Sequence, residues 1–169
     1  MNPLPLQHDL RKRLPFESLE QEVFLNLART QSQLAAPFER LFKTRDLSPS
    51  SYNILRILRG NGGAGCLCHE ISEMTVTRVP DITRLLDRLE TQGLAQRARS
   101  RQDRRAVHVS ITPKGLELLA SLDAPLMDLH GAQLAHIDPT DLAVLNQLLV
   151  KLRSNPLPGE PNFSSIPRV

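Results

Sequence analysis

The residues that could do chemistry fall in two short stretches. Arg97, Arg99, Arg101, Arg104 and Arg105 crowd together with Asp103 as the one acid among them. Guanidinium groups are fixed cations with planar donor forks, so such a cluster acts electrostatically and sets up a local field that attracts phosphates. The second stretch is Cys66-Leu67-Cys68-His69. Thiolates there would suit a soft metal, with His69 as a nitrogen ligand, or would meet an oxidant. A tight metal site asks for three or four ligands, yet the chain has only 2 cysteines, and His8, His108, His130 and His136 share no ligand spacing. The plainer reading is that Cys66 packs as a small apolar residue near the first strand. Two cysteines so close in sequence would make a strained bridge, so no disulfide framework is expected and a reducing cytoplasm fits.

No catalytic constellation competes with these stretches. The chain lacks a glycine-rich phosphate loop, a nucleophile elbow and a His-Glu-x-x-His helix. Asp87 and Glu90, three apart on a helical segment, fit ordinary surface pairing with nearby arginines. The chain reads as non-enzymatic, and no cofactor is expected. The net charge of +3 is modest for a nucleic-acid binder, so the distribution of charge matters more than its sum. With 169 residues, 40% hydrophobic and 23% charged, the chain supports one ordinary core and not two large domains. No segment approaches the ~20 apolar residues that cross a bilayer, so no membrane partner is expected. The start Met1-Asn2-Pro3-Leu4-Pro5 lacks the basic and apolar regions of an export signal.

The elements that must position these residues are mostly helical. Leu19, Val23, Leu27, Leu34, Phe38, Leu41 and Phe42 recur at three- and four-residue spacings, which predicts a long first helix with an apolar stripe and a kink at Pro37. Ser48-Pro49 offers an N-cap and an N1 proline for a helix with Ile54, Leu55 and Leu58 inward, ending near Gly60. A short helix is expected from about Cys68 to Met74 and another from Pro80. In the latter, Leu85, Leu86 and Leu89 face the core and Asp81, Thr83, Arg84, Asp87 and Arg88 face outward, with Gly93 as a left-handed cap. Leu94 to Arg99 and Val107 to Ile111 read as a hairpin. Thr112-Pro113 restarts a helix with Leu116, Leu119, Leu122 and Leu126, and Asp138-Pro139 caps a last one with Leu142, Leu145, Leu148, Leu149 and Leu152 along one side.

A helix closed by glycine, followed by a hairpin with an arginine loop, is the layout of a helix-turn-helix with a β-wing. The segment Thr83-Arg84-Leu85-Leu86-Asp87-Arg88-Leu89-Glu90, leading to Gly93-Leu94 and Arg97, resembles the MarR-type winged-helix transcriptional regulators. So does the phrase Asp103-Arg104-Arg105-Ala106-Val107 running into Ile111-Thr112-Pro113-Lys114-Gly115. The resemblance covers roughly residues 17 to 153. Where the family has a Leu-Gly-Leu-Ser-like turn, this chain has Thr75-Val76-Thr77-Arg78, and Pro80 is expected to set the start of the recognition helix instead. Cys66-x-Cys68 also resembles the metal site of the ArsR-type repressors, another winged-helix family.

The MarR resemblance implies a mainly α fold with a small β-hairpin wing, in which N- and C-terminal helices dimerise. The expected organisation is a flexible arm at 1–16, a winged-helix domain at 17–153 and a disordered Pro-rich tail at 154–169. Within the domain the DNA-binding lobe spans about 48–112, and the dimerisation helices span about 17–45 and 113–153. The apolar first helix and the five leucines of the last present more hydrophobic surface than that lobe can cover, which independently favours a homodimer over a monomeric core.

The resemblance further implies a repressor of a double-stranded, pseudo-palindromic operator, modulated by a small lipophilic or phenolic effector. Thr77, Arg78, Asp81, Thr83, Arg84 and Arg88 are the candidates for groove contact, since arginine reads guanine bidentately and threonine meets a phosphate or a thymine methyl. Asp81 also fits as an acid favoured by the dipole at the start of its helix, and Arg88 as a solvated surface residue. In the wing, Arg99 and Arg101 would hold phosphates. Asp103 would brace the loop by pairing with an arginine while Arg105 enters the minor groove, and Arg104 is counted with the DNA-binding residues. The readings held against this one are a metal- or thiol-responsive repressor using Cys66, Cys68 and His69, and a helical module that binds protein rather than DNA.

Overall fold

The computed structural model describes residues 6–62, 65–77, 79–99 and 107–154. The helices among these residues are α1 (Leu6–Asp9), α2 (Leu19–Lys43), α3 (Pro49–Gly60), α4 (Cys68–Met74), α5 (Ile82–Thr91), α6 (Pro113–Leu134) and α7 (Pro139–Ser154). The strands are β1 (Cys66–Leu67), β2 (Ala95–Arg99) and β3 (Val107–Ile111). The chain divides into two compact units, residues 1–130 and 131–169.

Local sequence signals place most of these boundaries. Ser18 Oγ accepts from Gln21 N–H at 3.2 Å to start α2, and Ser48 Oγ accepts from Ser51 N–H at 3.0 Å to start α3, with Pro49 in the first helical position where no donor is missed. Helix α2 runs on through Pro37. The expected start of α5 at Pro80 shifts by two residues: Asp81 is the N-cap, its Oδ1 accepting from Arg84 N–H at 3.0 Å, so the proline lies before the helix. At the far end Gly93 has φ +71°, its N–H donates to Glu90 O, and Leu94 N–H donates to Leu89 O, both at 2.9 Å. That is a Schellman closure, and it turns the chain directly into β2. Thr112 Oγ1 donates to Gly93 O at 2.7 Å and accepts from Gly115 N–H at 3.1 Å, so one hydroxyl ties the end of α5 to the start of α6.

The hairpin pairs Ala95 with Ile111 through Arg99 with Val107, antiparallel. A third strand joins it, because Cys66 and Leu67 pair antiparallel with Val109 and His108, giving the order β1-β3-β2. The sequence reading has no strand here, since two residues are too few to show alternation. Gly65 makes the approach possible: it has φ +71°, and a Cβ on it would lie 2.9 Å from Val109 O.

The core of the first unit gathers Ile54, Leu55 and Leu58 of α3, Ile71 of α4, Leu86 and Leu89 of α5, Val109 of β3, and Leu119 and Leu122 of α6. Only the C-terminal part of the α2 stripe joins it: Phe42 is buried and stacks on Tyr52 with ring centroids 4.5 Å apart. Leu19 and Val23 at the other end of the stripe are exposed, at 72% and 44%, so its first turns bury little against the described chain. In the second unit α7 has no fully buried residue, and Leu145, Leu148 and Leu152 are exposed.

Arg59 of α3 holds Asp123 of α6 bidentately, at 2.8 and 2.9 Å. The hydrogen bond from Arg59 keeps the Asp123 carboxyl below its ordinary range. A carboxyl with a lowered folded pKa contributes stability above its unfolded pKa and loses it as the pH falls through the folded value. Because this pair is partly solvated, Asp123→Asn is expected to cost about 0.5–1 kcal/mol near neutral pH. In urea titrations the difference from wild type should shrink towards zero on acidification.

Candidate nucleic-acid interface

The core-facing Leu86 and Leu89 fix which side of α5 is left outside: Thr83, Arg84, Asp87 and Arg88 are all exposed there. A shallow surface depression beside the first turn is lined by Ser50, Val79, Pro80, Asp81, Arg84 and Arg88 among others. The Arg84 side chain makes no hydrogen bond or ion pair among the described residues, which leaves its fork free for a partner. The turn ahead of α5 exposes Thr77 and, at 86%, Val76. The sequence reading did not single out Val76 as an exposed apolar side chain.

The other charged groups on this face are already committed. Asp81 spends its carboxylate on the helix cap. Arg88 Nη2 donates to Asp46 Oδ1 at 2.7 Å. Arg97, counted with the arginine cluster from sequence alone, has turned back onto α5, where Nη1 donates to Asp87 Oδ1 and to Glu90 Oε2. Its Nη2 reaches Thr83 O at 3.4 Å. The hydrogen bond that Arg97 donates to Asp87 holds the Arg97 pKa above its usual value, with Glu90 adding to it. The consequence is electrostatic: Asp87 and Glu90 are two anions on the exposed helix that would repel phosphates, and Arg97 partly neutralises both while anchoring β2 to α5. The surface pairing expected for those acids thus has a partner from the first wing strand.

Of the wing residues, Arg99 lies in β2 opposite Val107. Arg78, Arg101, Asp103, Arg104 and Arg105 lie outside the described residues, as do the Pro-rich residues from Asn155 onward. The hairpin stem is defined on both sides, with Arg99 paired to Val107 at the end farthest from the Ala95–Ile111 base.

The two cysteines differ in their surroundings. Cys66 is buried in the core through β1, and burial pushes its thiol up, away from the reactive thiolate. Cys66 joins the apolar core cluster, as the packing reading expects. Cys68 is half-buried at the start of α4. Among the described residues no group of three or more His, Cys, Asp or Glu side chains is placed to hold a metal ion. Also among them, no helix is long and apolar enough to cross a membrane.

This arrangement, a short helix, a turn, an outward-facing capped helix and an antiparallel hairpin, matches known proteins at each level. The sequence model of the MarR family matches residues 45–106. The HTH-type transcriptional repressor IacR of Pseudomonas putida is 29% identical over 126 residues, covering 75% of this chain and 74% of that protein. The regulator BpsR of Bordetella bronchiseptica, whose DNA binding is regulated by 6-hydroxynicotinic acid, shares the fold with a TM-score of 0.73 at 20% identity, over 85% of this chain and 100% of its own. The crystal structure of a MarR transcription factor from Planctomyces limnophilus aligns with a TM-score of 0.62 at 38% identity, over 81% of this chain and 99% of that one. The chain belongs to the MarR family of winged-helix transcription regulators.

Proposed function

We propose that this regulator works as a homodimeric repressor of a pseudo-palindromic operator and that a small aromatic or lipophilic acid lowers its affinity for DNA. The observation that carries the DNA reading is α5: it is capped at both ends, its apolar side is sunk in the core, and its outer side offers Thr83 and Arg84, the latter with no side-chain partner among the described residues. In this reading Arg84 reads a base edge in the major groove, and Thr77, Arg78 and Thr83 meet phosphates or thymine methyls. Arg99 and Arg101 hold backbone phosphates, Asp103 braces the wing loop, and Arg104 and Arg105 approach the minor groove, whose negative potential rewards an inserted guanidinium.

Dimerisation is supported by the exposed apolar residues at the start of α2 and along α7, which in water favour association. A two-fold dimer presents two copies of α5, so the half-sites should lie about one helical turn, or ~34 Å, apart. The regulation of BpsR by 6-hydroxynicotinic acid supports an effector of that chemical class. Such a ligand lowers operator affinity to the extent that it binds better to a dimer whose recognition helices are wrongly spaced, and operator lowers ligand affinity by the same factor. The site of action is the cytoplasm, where the operator DNA is.

Arg105→Ala tests the wing. Operator affinity should fall by about 1–3 kcal/mol with the thermal midpoint unchanged, as read by fluorescence anisotropy and a melting curve. Wild-type affinity in that variant would take the wing out of the mechanism.

A further inference from the structure

Helices α2 and α5 close with the same motif and differ at its key residue. At the end of α2, Asp46 N–H donates to Lys43 O at 3.2 Å and Leu47 N–H donates to Phe42 O at 3.0 Å, with Asp46 at φ +52°. This repeats the closure at Gly93, with aspartate in the left-handed position that glycine takes most readily, because a Cβ there crowds the backbone. The turn itself does not need the side chain.

What the aspartate adds is a carboxylate aimed at the recognition helix. Its Oδ1 accepts from Arg88 Nη2 at 2.7 Å and its Oδ2 from Gln92 Nε2 at 2.8 Å. The Asp46 carbonyl accepts from the same two side chains, at 3.4 and 3.2 Å. Arg88 and Gln92 stand four apart, one turn along the same helical edge. Two side-chain donors at the end of α5 are therefore gripped by one residue of the α2–α3 turn.

We propose that Asp46 is a positioning residue that latches the end of α5 to the end of α2, and that Arg88 serves this latch rather than the DNA. The inference rests on α5 being the recognition helix, as proposed above. The pair is solvent-exposed and adds little to global stability. Its effect is on pose, since the side chains that meet DNA act only within a narrow range of positions. Because the latch joins α5 to the helix whose far end carries the exposed apolar residues, a shift of α2 on effector binding is carried to the recognition helix.

The test compares full-length wild type, Asp46→Gly, Arg88→Ala and the double variant. Amide hydrogen exchange is followed over residues 82–94 in the free protein, and binding is measured to the duplex that wild type selects from randomised DNA, across a salt series. Glycine suits the turn, so Asp46→Gly should melt at or above the wild-type midpoint. It should nevertheless exchange faster at the end of α5 and bind about five- to tenfold more weakly, with the salt slope unchanged. Arg88→Ala should do the same, and the double variant should be no worse than either single one. Wild-type exchange and affinity in Asp46→Gly would overturn the latch. So would a salt slope reduced by about one in Arg88→Ala with losses that add in the double variant, which would put Arg88 on a phosphate. Should wild type retain no duplex at all, the DNA reading fails, and the exchange rates alone decide the latch.

Discussion

Gly115→Ala is expected to destabilise the protein by about 3 kcal/mol or more. A Cβ at this position would lie 2.4 Å from Leu94 O and 2.7 Å from Ile111 Cγ1. The first of these is backbone, and it already accepts from Thr112 N–H at 3.1 Å. It cannot retreat without breaking the junction at which α5, the hairpin and α6 meet. Relief would require lifting the first turn of α6 off the base of the wing, which costs packing around Leu119 as well as the hydrogen bonds of Thr112. Urea denaturation would read the loss directly, with the midpoint shifted at constant slope. Gly131→Ala is the matched control, because it lies in the same helix with nothing among the described residues within 4 Å of its added Cβ. It should be neutral or stabilising by up to ~1 kcal/mol, since alanine is the better helix former. Equal stability of the two variants would mean that α6 does not start where the Thr112 cap puts it.

Arg84→Ala should leave the fold almost untouched and change what the protein binds. The side chain is exposed and carries no intramolecular bond among the described residues, so its loss should move stability by less than about 0.5 kcal/mol. If its fork reads a base edge, operator affinity falls by about 1–3 kcal/mol while affinity for random duplex falls much less. The ratio of the two affinities, measured at one salt concentration, separates the cases. Equal losses on both DNAs would demote Arg84 to a phosphate contact and leave sequence discrimination to Thr83 and the turn before α5. Since α5 is held from both sides, by Arg97 on β2 and by Asp46 at the end of α2, the comparison is not confounded by a loosened helix.

The boundaries of the helices were legible because each is written in adjacent residues. Ser48-Pro49, Gly93, Thr112-Pro113 and Asp138-Pro139 each supply a cap whose donor and acceptor lie within a few positions of one another. The shift of the α5 start from Pro80 to Ile82, behind the Asp81 cap, shows the limit of that signal, since a proline fits equally before a cap and after it. The features missed are those that only the folded chain creates. Strand β1 exists because two residues meet Val109 and His108 some forty positions on, and no local period announces it. Arg97 reads as one more member of a basic cluster until the hairpin carries it back over Asp87 and Glu90. Asp46 reads as a turn residue, and its carboxylate gains meaning only from Arg88, 42 positions away. The apolar stripe of α2 was visible in full, but its division into a buried end at Phe42 and an exposed end at Leu19 and Val23 depends on where α3 lies. In the candidate site the basic and polar residues of α5 were legible from their spacing. Which of them are free and which are tied was not, because ion pairing is a property of distance in space.

The most direct test of the central claim is a fluorescence-anisotropy titration of the purified protein with randomised duplex DNA, sequencing the retained fraction and repeating the titration across a salt series. A sequence-specific dimeric regulator predicts enrichment of a two-fold-symmetric site and an affinity that falls steeply as salt rises, because each neutralised phosphate releases counterions. Absence of retained DNA at low salt from a folded dimer, with or without an aromatic acid added, would contradict it and leave a helical module that binds protein as the better account.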